Sequence, residues 1–261
     1  MQNRTALVTG ASSGIGRELA KLLAKDCSTL VLVARSQDRL QRLKQELEKT
    51  LPIAVKVIAK DLSKEGAAHE IFDELWKEKV SVDILINNAG FGGYGAFVET
   101  DWQNEAQMIG VNVIAMTEMT KLFGKDMVAR KSGKIMNVSS TAAFQPGPLM
   151  AIYYATKAYS LSFSEAIANE FADAGVTVTV FCPGPTATSF ARTARVENSM
   201  LFKYSKVASA EEVARYGYRV MMRGRTVAIY GLMNKVMAFS VRLAPRNLLA
   251  AIVRRLHKTA W

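Results

Sequence analysis

The sequence predicts an α/β protein built on a doubly wound, parallel sheet of about seven strands, in one domain over residues 1–261. Three observations support this prediction. Short apolar runs alternate with helical patterns, the first run leads directly into a glycine-rich turn, and 49% of the residues are apolar. A chain of 261 residues without linkers, repeats or low-complexity segments is long enough for one sizeable core and short enough to be a single domain.

Short apolar runs, bounded by glycine, proline or polar residues, are predicted to form the strands. They lie at 5–10, 28–35, 53–61, 82–90, 133–140, 176–184 and 226–231. Helical patterns fill the intervals, and Gly175 provides a C-cap for the helix before the sixth strand. The predicted helices lie at 16–26, 37–50, 67–78, 101–130 and 151–175, and one more starts near Ala210. Strands that alternate with helices in this way form parallel βαβ units.

The excess of positive charge is confined to the C-terminal part of the chain. The formal net charge is +11, and ten of the 34 basic residues follow Glu212, after which there is no acidic residue. The first 212 residues carry 24 basic and 23 acidic side chains, so the body of the protein is almost balanced. Because no recognition motif is lined by basic residues, we predict no nucleic-acid partner.

Several other classes of protein are not favoured. The N-terminal segment "MQNRTALVTG" lacks the basic and then apolar pattern of a secretory signal, and no run of about 18 apolar residues predicts a spanning helix. Two cysteines and two histidines, without close spacing, predict neither a disulfide framework nor a metal site. We expect a cytoplasmic protein with Cys182 in the core and with His69 and His257 on the surface of helices.

A glycine-rich turn joins the first strand to the first helix. The segment "TGASSGIG" at 9–16 allows the backbone to approach a pyrophosphate, whose charge the N-terminus of the helix attracts. Its spacing, G-x-x-x-G-x-G, differs from the common G-x-G-x-x-G motif. The segment therefore predicts a dinucleotide site in a Rossmann-like sheet, formed here by Gly10, Ser12, Ser13, Gly14, Ile15 and Gly16.

The end of the second strand favours NADP(H) over NAD. In an NAD site an acidic residue at this point binds the ribose 2′-hydroxyl group, whereas this chain has Ala34 and Arg35. A guanidinium group can bind a 2′-phosphate through charged, bidentate hydrogen bonds, and Ser12 and Ser13 can add hydroxyl donors. The alternative is that Arg35 is a solvated residue at the entry to a helix.

The segment "AIYYATKAY" at 151–159 raises the question of a catalytic tyrosine. Tyr153 lies four residues before Lys157 and Tyr154 three, and either spacing places the two side chains on one face of a helix. The alternative is that both aromatic side chains are core residues while Lys157 extends to solvent. The spacing alone leaves these possibilities open.

Six segments, taken in order, resemble the motifs of the short-chain dehydrogenase/reductase family. They are "TGASSGIG", "NNAG" (87–90), "VN" (111–112), "NVSS" (137–140), "YYATK" (153–157) and "PGPTAT" (183–188). The resemblance covers residues from about 5 to about 190. It implies that Tyr153 is the catalytic acid/base and that Tyr154 faces elsewhere. It implies further catalytic roles for Lys157, for Ser140 with Ser139 as the alternative, and for Asn112.

The same resemblance implies further contacts with the cofactor. Asn88, Ala89 and Gly90 correspond to the segment that lines the adenosine half, and Asp61, which precedes Leu62, corresponds to the acid that binds the adenine amino group. Thr188 corresponds to the residue that contacts the nicotinamide carboxamide. The remaining residues implied from this last motif are Pro183, Gly184 and Thr186.

Elementary chemistry is consistent with these roles. Reduction of a ketone needs a hydride, which the cofactor supplies, and a proton donor for the developing alkoxide. A free phenol has a pKa of about 10, which a lysine ammonium one turn away, together with the charge of the oxidised nicotinamide, is expected to lower. Ser140 can stabilise the developing charge. We therefore predict an NADPH-dependent carbonyl reductase or alcohol dehydrogenase. The alternative is a catalytically silent NADP-binding sensor, which has no need for all four catalytic residues.

Two segments, 189–209 and 231–261, are predicted to form the substrate side. The first contains apolar residues that can form a lid over a lipophilic substrate, namely Phe190, Met200, Leu201, Phe202 and Tyr204. The order of residues in the second resembles bacterial family members grouped with 3-ketoacyl and steroid reductases. A 3-ketoacyl compound, a steroid or another ketone is therefore the predicted substrate.

The segment 231–261 is also predicted to contain a basic amphipathic helix, as a helical extension of the domain. Its apolar residues are expected on one face and are Leu248, Leu249, Ile252, Val253 and Leu256. Three partners can cover that face: the body or a second subunit in a homodimer or homotetramer, an anionic membrane surface, or an acyl carrier such as coenzyme A or acyl carrier protein. The sequence leaves these alternatives open.

Overall fold

The computed structural model describes residues 4–194, 196 and 207–257. Its main sheet contains β1 (Thr5–Thr9), β2 (Thr29–Ala34), β3 (Ala54–Ala59), β4 (Ile84–Asn87), β5 (Gly133–Val138), β6 (Val176–Cys182) and β9 (Val227–Ile229). All seven strands are parallel, in the order β3-β2-β1-β4-β5-β6-β9. A separate parallel pair joins β7 (Thr186–Ala187) to β8 (Ala208–Ser209). The predicted sheet is confirmed.

Helices occupy both faces of the sheet. They are α1 (Gly14–Leu23), α2 (Gln37–Thr50), α3 (Ala67–Lys77), α4 (Trp102–Ile109), α5 (Met116–Ala129), α6 (Ala151–Ala172), α7 (Phe190–Thr193), α8 (Ala210–Met222), α9 (Leu232–Ser240) and α10 (Arg246–His257). The start of α8 is fixed by reciprocal hydrogen bonds between Ser209 and Glu212, each side chain bonding the other's backbone N–H. The region predicted as one helix over 101–130 contains a π-helical segment, Gly110–Ala115, between α4 and α5.

Side chains of the strands alternate between two cores. In β1, Ala6 and Val8 pack on one face of the sheet and Leu7 packs on the other. The first core is completed by α1, α2 and α8, and the second by α3, α5 and α6. Because helices cover both faces, the central strands are predominantly apolar, which is why they appear in the sequence as short apolar runs.

The direction in which the chain winds reverses between β1 and β4. From β1 the chain proceeds outward through β2 and β3, and it then returns to the other side of β1 for β4, β5 and β6. The helices that follow β1 and β4 therefore leave the sheet toward opposite faces, which opens a crevice at the carboxyl ends of these strands. The crevice is where a ligand is expected in a sheet of this kind.

The C-terminal helices differ from the sequence-based prediction. The apolar residues of α10 do not form one covered face, because Val253 is buried whereas Leu248, Ile252 and Leu256 are exposed. The prediction that His257 lies on the surface is wrong, since only 1% of it is exposed, while His69 is exposed as predicted. Cys182 is buried as predicted. Among the helices described, none combines the length and apolar character needed to cross a bilayer. The predicted lid residues Met200, Leu201, Phe202 and Tyr204 lie outside the described residues.

Candidate active site

A cavity of about 470 Å³ lies at the carboxyl edge of the sheet. Its wall is formed by the glycine turn after β1, by the residues that follow β2 to β6, and by the first turns of α6 and α7. Most residues predicted to bind cofactor or to act in catalysis lie in this wall: Gly10, Ser12, Ser13, Gly14, Ile15, Arg35, Asp61, Leu62, Asn88, Ala89, Gly90, Ser140, Tyr153, Lys157, Pro183, Gly184, Thr186 and Thr188. Gly16 and Asn112 do not lie in the wall. One cavity thus holds both predicted sets of residues.

The glycine turn has a backbone that side chains would disturb. Gly10 and Gly14 have φ angles of +67° and +55°, in the left-handed region that favours glycine. A Cβ atom on Gly16 would lie 2.3 Å from Nδ2 of Asn88 and 2.5 Å from the carbonyl oxygen of Gly10. Gly16 therefore allows α1 to pack closely against the turn, which explains why it lies behind the wall.

Asn88, directly after β4, joins that strand to the glycine turn. Its backbone N–H and that of Ala89 each donate to Oγ1 of Thr9 at 3.0 Å. Its side-chain Nδ2 donates to the carbonyl oxygen of Thr9, also at 3.0 Å. These bonds hold the ends of β1 and β4 together at the crevice, so that the wall on this side is fixed by the sheet.

The wall near the ends of β2 and β3 is basic. Arg35 and Arg39 are exposed residues of the wall, and Lys60, which pairs with Glu70, also lies there. The sequence analysis missed Arg39. The signal that could have identified it is a second arginine in the first turn of the helix that follows Arg35. Two guanidinium groups in one part of the wall suit a phosphate dianion.

Asp61, after β3, presents an ionised carboxylate in the same part of the wall. Partial burial raises the pKa of this carboxyl group, but two hydrogen bonds from Ser63 and the charge of Arg35 lower it, and the net pKa lies below its ordinary value. Oδ1 accepts from the backbone N–H of Ser63 at 3.0 Å and from its hydroxyl at 2.8 Å. An ionised carboxylate can accept a hydrogen bond from an amino group, as the implied adenine contact requires.

These features fit NADP(H). Glycine at position 10 lets the turn pack against the end of β4, since a Cβ atom there would lie 2.6 Å from Nδ2 of Asn88. Ser13, the N-cap of α1, makes no side-chain hydrogen bond to that helix, so amide groups of its first turn can bind a pyrophosphate. Arg35 and Arg39 suit a 2′-phosphate. Within the described ranges, no group of three or more His, Cys, Asp and Glu side chains is placed to hold a metal ion.

Ser140, Tyr153 and Lys157 meet in the wall beyond the glycine turn. Tyr153 is 8% exposed, and the side chain of Ser140 lies near its hydroxyl group. Nζ of Lys157, one turn later in α6, lies 5.7 Å from the centroid of the Tyr153 ring and donates to the carbonyl oxygen of Val138 at 3.0 Å. Because β5 ends beside the start of α6, these two neighbouring elements bring the three groups together.

Burial has opposite effects on the two titratable groups. It raises the pKa of Tyr153 to about 12, and the neighbouring side chain of Ser140 offsets part of this rise. It lowers the pKa of Lys157 to about 8, an effect that the neighbouring Cys182 opposes. The expectation that Lys157 lowers the pKa of Tyr153 below its ordinary value is therefore not met by the protein groups, since desolvation dominates. At neutral pH the tyrosine is a phenol and can donate a proton.

The neighbouring residues Ser139 and Tyr154 make different contacts. Oγ of Ser139 donates to the carbonyl oxygen of Lys157 at 2.9 Å and accepts from Oγ of Ser160 at 2.8 Å, which joins the end of β5 to α6. The hydroxyl group of Tyr154 bonds with His257. These contacts favour Ser140 and Tyr153 as the facing pair, and their catalytic roles stay predictions.

Asn112 lies in the π-helical segment behind the wall. Its Oδ1 accepts from the backbone N–H of Phe91 at 3.2 Å, and its Nδ2 donates to the carbonyl oxygen of Phe91 at 2.9 Å and to Oγ1 of Thr156 at 3.1 Å. Both polar atoms of the side chain are thus engaged in holding the loop after β4 against α6. The geometry supports a positioning contact, and the catalytic role implied for Asn112 stays a prediction.

The far end of the cavity contains a cluster of apolar side chains. Phe190 of α7 packs on Tyr153, with ring centroids 5.2 Å apart, and Met150 and Val196 belong to the same apolar cluster. Contrary to the expectation that Tyr154 faces elsewhere, Tyr154 lies in this wall, as does His257. The sequence analysis missed both because Tyr154 is adjacent to the catalytic candidate and His257 comes from the end of α10, without a motif around it.

Comparisons with known proteins agree with this geometry. The family model "short chain dehydrogenase" matches residues 4–199. The 17-beta-hydroxysteroid dehydrogenase type 3 of Mus musculus is 34% identical over 183 residues, which are 68% of this chain and 58% of that protein. The very-long-chain 3-oxoacyl-CoA reductase of Bos taurus is 34% identical over 196 residues, which are 73% of this chain and 62% of that protein. The chain therefore spans about three fifths of the length of these curated relatives.

A solved structure is similar over nearly the full length of both chains. The short-chain dehydrogenase from Sphingobium yanoikuyae, in complex with NADPH, is 30% identical and superposes with a TM-score of 0.83 over 95% of each chain. A bulky-bulky ketone specific alcohol dehydrogenase from Comamonas testosteroni is 29% identical, with a TM-score of 0.79 over 93% of each chain. The covered share of this chain is larger in both structures than in the family model, which ends at residue 199.

Proposed function

The chain belongs to the short-chain dehydrogenase family, and from that premise we propose that it is an NADPH-dependent oxidoreductase acting on a carbonyl group or a secondary alcohol. The observation that carries the proposal is the meeting of Ser140, Tyr153 and Lys157 in the cavity that also contains the glycine turn and Arg35. A protein that only binds the cofactor would need the glycine turn and Arg35. It would not need Ser140, Tyr153 and Lys157, so these three residues favour an enzyme over a silent sensor.

Basic residues at the end of β2 support NADP(H) as the cofactor. The residues that directly follow β2, Arg35 and Ser36, include no acid, and the guanidinium groups of Arg35 and Arg39 can pair with a 2′-phosphate. The similar structure from Sphingobium yanoikuyae contains NADPH. When bound, the nicotinamide supplies or accepts the hydride.

The chain's own groups supply the proton and stabilise the developing charge. Tyr153 is protonated at neutral pH and can donate to a carbonyl oxygen that approaches its hydroxyl group. The hydroxyl group of Ser140, in the same wall, can donate its single proton to the same oxygen when the substrate is bound. Lys157, with a pKa of about 8, is mainly an ammonium ion at neutral pH and stabilises the phenolate left behind.

Apolar side chains at the far end of the cavity support a lipophilic substrate. Phe91, Met150, Phe190 and Val196 belong to this end of the wall, and burial of apolar substrate surface against them is favourable. The curated relatives are a hydroxysteroid dehydrogenase and a very-long-chain oxoacyl-CoA reductase. We propose a ketone of that kind, a steroid or a long-chain 3-ketoacyl compound, as substrate.

A panel of steroid ketones, aliphatic ketones and 3-ketoacyl thioesters, each assayed by the absorbance of NADPH, tests the proposed activity. We expect NADPH consumption that requires a ketone, is slower with NADH and is abolished by Tyr153→Phe. Tight binding of NADPH without turnover of any member of the panel would favour the silent sensor instead. Light scattering and cell fractionation test the predicted homo-oligomer and the cytoplasmic or peripheral location.

We further propose that α9 and α10 contact an anionic membrane. The described part of the chain exposes sixteen large apolar side chains, of which nine lie in these helices or the link between them. We call these nine the C-terminal surface: Leu232, Met233, Val236, Met237, Phe239, Leu243, Leu248, Ile252 and Leu256. The same two helices carry the exposed basic residues Lys235, Arg254 and Arg255 and contain no acidic residue. Exposed apolar side chains on helices whose charged residues are all basic suit the interface of an anionic bilayer.

Co-sedimentation with vesicles tests this contact. We expect binding to vesicles containing phosphatidylglycerol, no binding to pure phosphatidylcholine, and release at high salt. Arg254→Glu with Arg255→Glu should abolish binding, whereas Lys25→Glu with Lys49→Glu, an equal charge change at exposed sites on the body, should not. Self-association that depends on Leu232 and Phe239, or binding of acyl carrier protein in place of vesicles, would assign the surface to those partners.

A further inference from the structure

His257 connects the end of α10 to the cavity through its ring and backbone. Its Nε2 lies 2.9 Å from the hydroxyl oxygen of Tyr154, and its Nδ1 lies 2.8 Å from the carbonyl oxygen of Pro148. Its own carbonyl oxygen accepts from the hydroxyl group of Tyr94 at 2.9 Å. Both His257 and Tyr154 are buried, and both belong to the cavity wall. None of these contacts was predicted from the sequence.

The chemistry of these partners fixes the direction of the hydrogen bonds. A carbonyl oxygen only accepts, so Nδ1 must carry a proton that it donates to Pro148. Burial lowers the pKa of His257, which the bond to Pro148 partly opposes, and burial raises the pKa of Tyr154, so both groups are neutral at neutral pH. A neutral ring with its proton on Nδ1 has a lone pair on Nε2. Tyr154 therefore donates to Nε2 of His257.

A phenol that has donated its only proton can offer nothing but its lone pairs. Tyr154 is such a phenol, and its ring meets that of Tyr153 edge-on, with centroids 6.0 Å apart. Around it the wall is apolar, with Met150, Phe190 and Val196 in the same cluster. An acceptor placed among apolar side chains discriminates between groups that can donate a hydrogen bond and groups that cannot.

We propose that Tyr154, held by His257, forms a substrate subsite that accepts a hydrogen bond from a hydroxyl or N–H group carried by the ketone. This inference rests on the proposed function, because it describes the substrate of the same cavity. It goes beyond that function by adding a polar requirement to a lipophilic ketone. His257 is a positioning residue in this arrangement, since it acts through Tyr154.

Matched substrates test the subsite. Methyl ketones with a terminal hydroxyl group are compared with methyl ketones bearing a terminal methoxy group, on chains of increasing length, and the ratio of the two kcat/KM values is measured. We expect the hydroxy compound to be preferred by about 2- to 10-fold at one chain length, as one hydrogen bond provides. In Tyr154→Phe the ratio should fall to about one. Because each ratio is taken within one variant, a partial loss of folded protein does not affect it.

Two substitutions of His257 test whether residue 257 must accept a hydrogen bond from Tyr154 or only needs to pack against it. Gln can place a carbonyl oxygen near the position of Nε2 and accept from Tyr154, so His257→Gln should keep the preference for the hydroxy compound. Asn can place its amide N–H near the position of Nδ1 and donate to Pro148, but it leaves Tyr154 without an acceptor. The freed hydroxyl proton can then point to the substrate, so in His257→Asn the ratio should shift toward the methoxy compound.

The possible outcomes separate the substrate subsite, the direction of its hydrogen bond and the proposed function. Equal ratios in wild type, Tyr154→Phe and both His257 variants, with ketones still reduced, would overturn the subsite and leave the proposed function intact. A parallel fall of the ratio in His257→Gln and His257→Asn would overturn the assigned bond direction and with it the acceptor role. Failure of every ketone to be reduced would overturn the proposed function, and the inference with it.

Discussion

The two ends of the cavity are built in different ways. The cofactor end consists of residues that directly follow strands: Gly10 after β1, Arg35 after β2, Asp61 after β3 and Asn88 after β4. The substrate end is assembled from α7, the first turn of α6 and the last residue of α10. Strand pairing therefore fixes the first end, whereas packing between distant helices fixes the second. A cavity built in this way can keep the same cofactor end while the substrate end, and with it the substrate, differs.

Tyr153 stands at the junction of the two ends, and its removal should have the largest effect. Tyr153→Phe keeps the ring that packs on Phe190 but removes the proton donor. We expect kcat to fall by about 10²- to 10⁴-fold, as is typical of a general acid, while the affinity for NADPH stays close to that of the wild type. Steady-state kinetics and a binding titration measure the two quantities.

Tyr154→Phe is the matched control for this prediction. It removes a hydroxyl group from the adjacent residue, which belongs to the substrate end. If Tyr154→Phe abolishes turnover of a simple ketone while Tyr153→Phe leaves it intact, the assignment of the acid is wrong and the boundary between the two ends must be moved.

A substitution in the sheet beneath the cofactor end should lower the stability of the protein more than one in the helices near the substrate end. Leu85 of β4 is completely buried, whereas Leu243, between α9 and α10, is 77% exposed. We expect Leu85→Ala to lower the free energy of unfolding by about 2–5 kcal/mol, because it loses buried surface and leaves a cavity. Leu243→Ala should change it by less than about 0.5 kcal/mol.

Urea denaturation of both variants measures this difference. A loss for Leu243→Ala as large as that for Leu85→Ala would show that the C-terminal surface is covered in solution, by a second copy of the chain. The C-terminal helices would then be exposed only in a single chain and buried in the oligomer.

Arg35 tests the cofactor end alone. Arg35→Ala should weaken the binding of NADPH by about 10- to 100-fold, since a hydrogen bond to a charged group contributes about 1.5–3 kcal/mol. NADH, which has no 2′-phosphate, should bind as before. Titration of both cofactors by fluorescence measures the change. Equal losses for NADPH and NADH, or a wild-type preference for NADH, would contradict the assignment.

The same contrast explains what the sequence could predict. Arg35 and Asn88 follow apolar runs with short motifs, and parallel pairing brings strand ends to one edge, so their placement could be predicted from local pattern. His257 lies 103 residues from Tyr154, and no pattern around it indicates a buried contact. The π-helical segment that carries Asn112 has an unremarkable helical sequence, which predicts neither the wider turn nor the contact with Phe91. Long-range packing decided these features.

The smallest effect is expected from the titration of Lys157, which lies where the two ends meet. Its pKa is about 8 in the folded protein and about 10.4 in an unfolded chain. Between these values the unfolded state binds more protons than the folded state, so stability rises with pH in this interval. Below pH 8 the full cost of burying the ammonium ion is present.

Comparison with Lys157→Met isolates this titration, because the methionine side chain has similar length and no charge. Between pH 7 and pH 9 the free energy of unfolding of the wild type should rise by about 1 kcal/mol relative to that of the variant. Tyr153, with a pKa of about 12, is not ionised in this interval and is present in both proteins. Chemical denaturation at several pH values provides the two curves.

Parallel curves would mean that Lys157 keeps an ordinary pKa, so that solvent reaches its ammonium group and the junction between the two ends is more open than the structure shows. A divergence confined to pH values between about 8 and 10 would confirm that the ammonium group of Lys157 is desolvated in the folded protein.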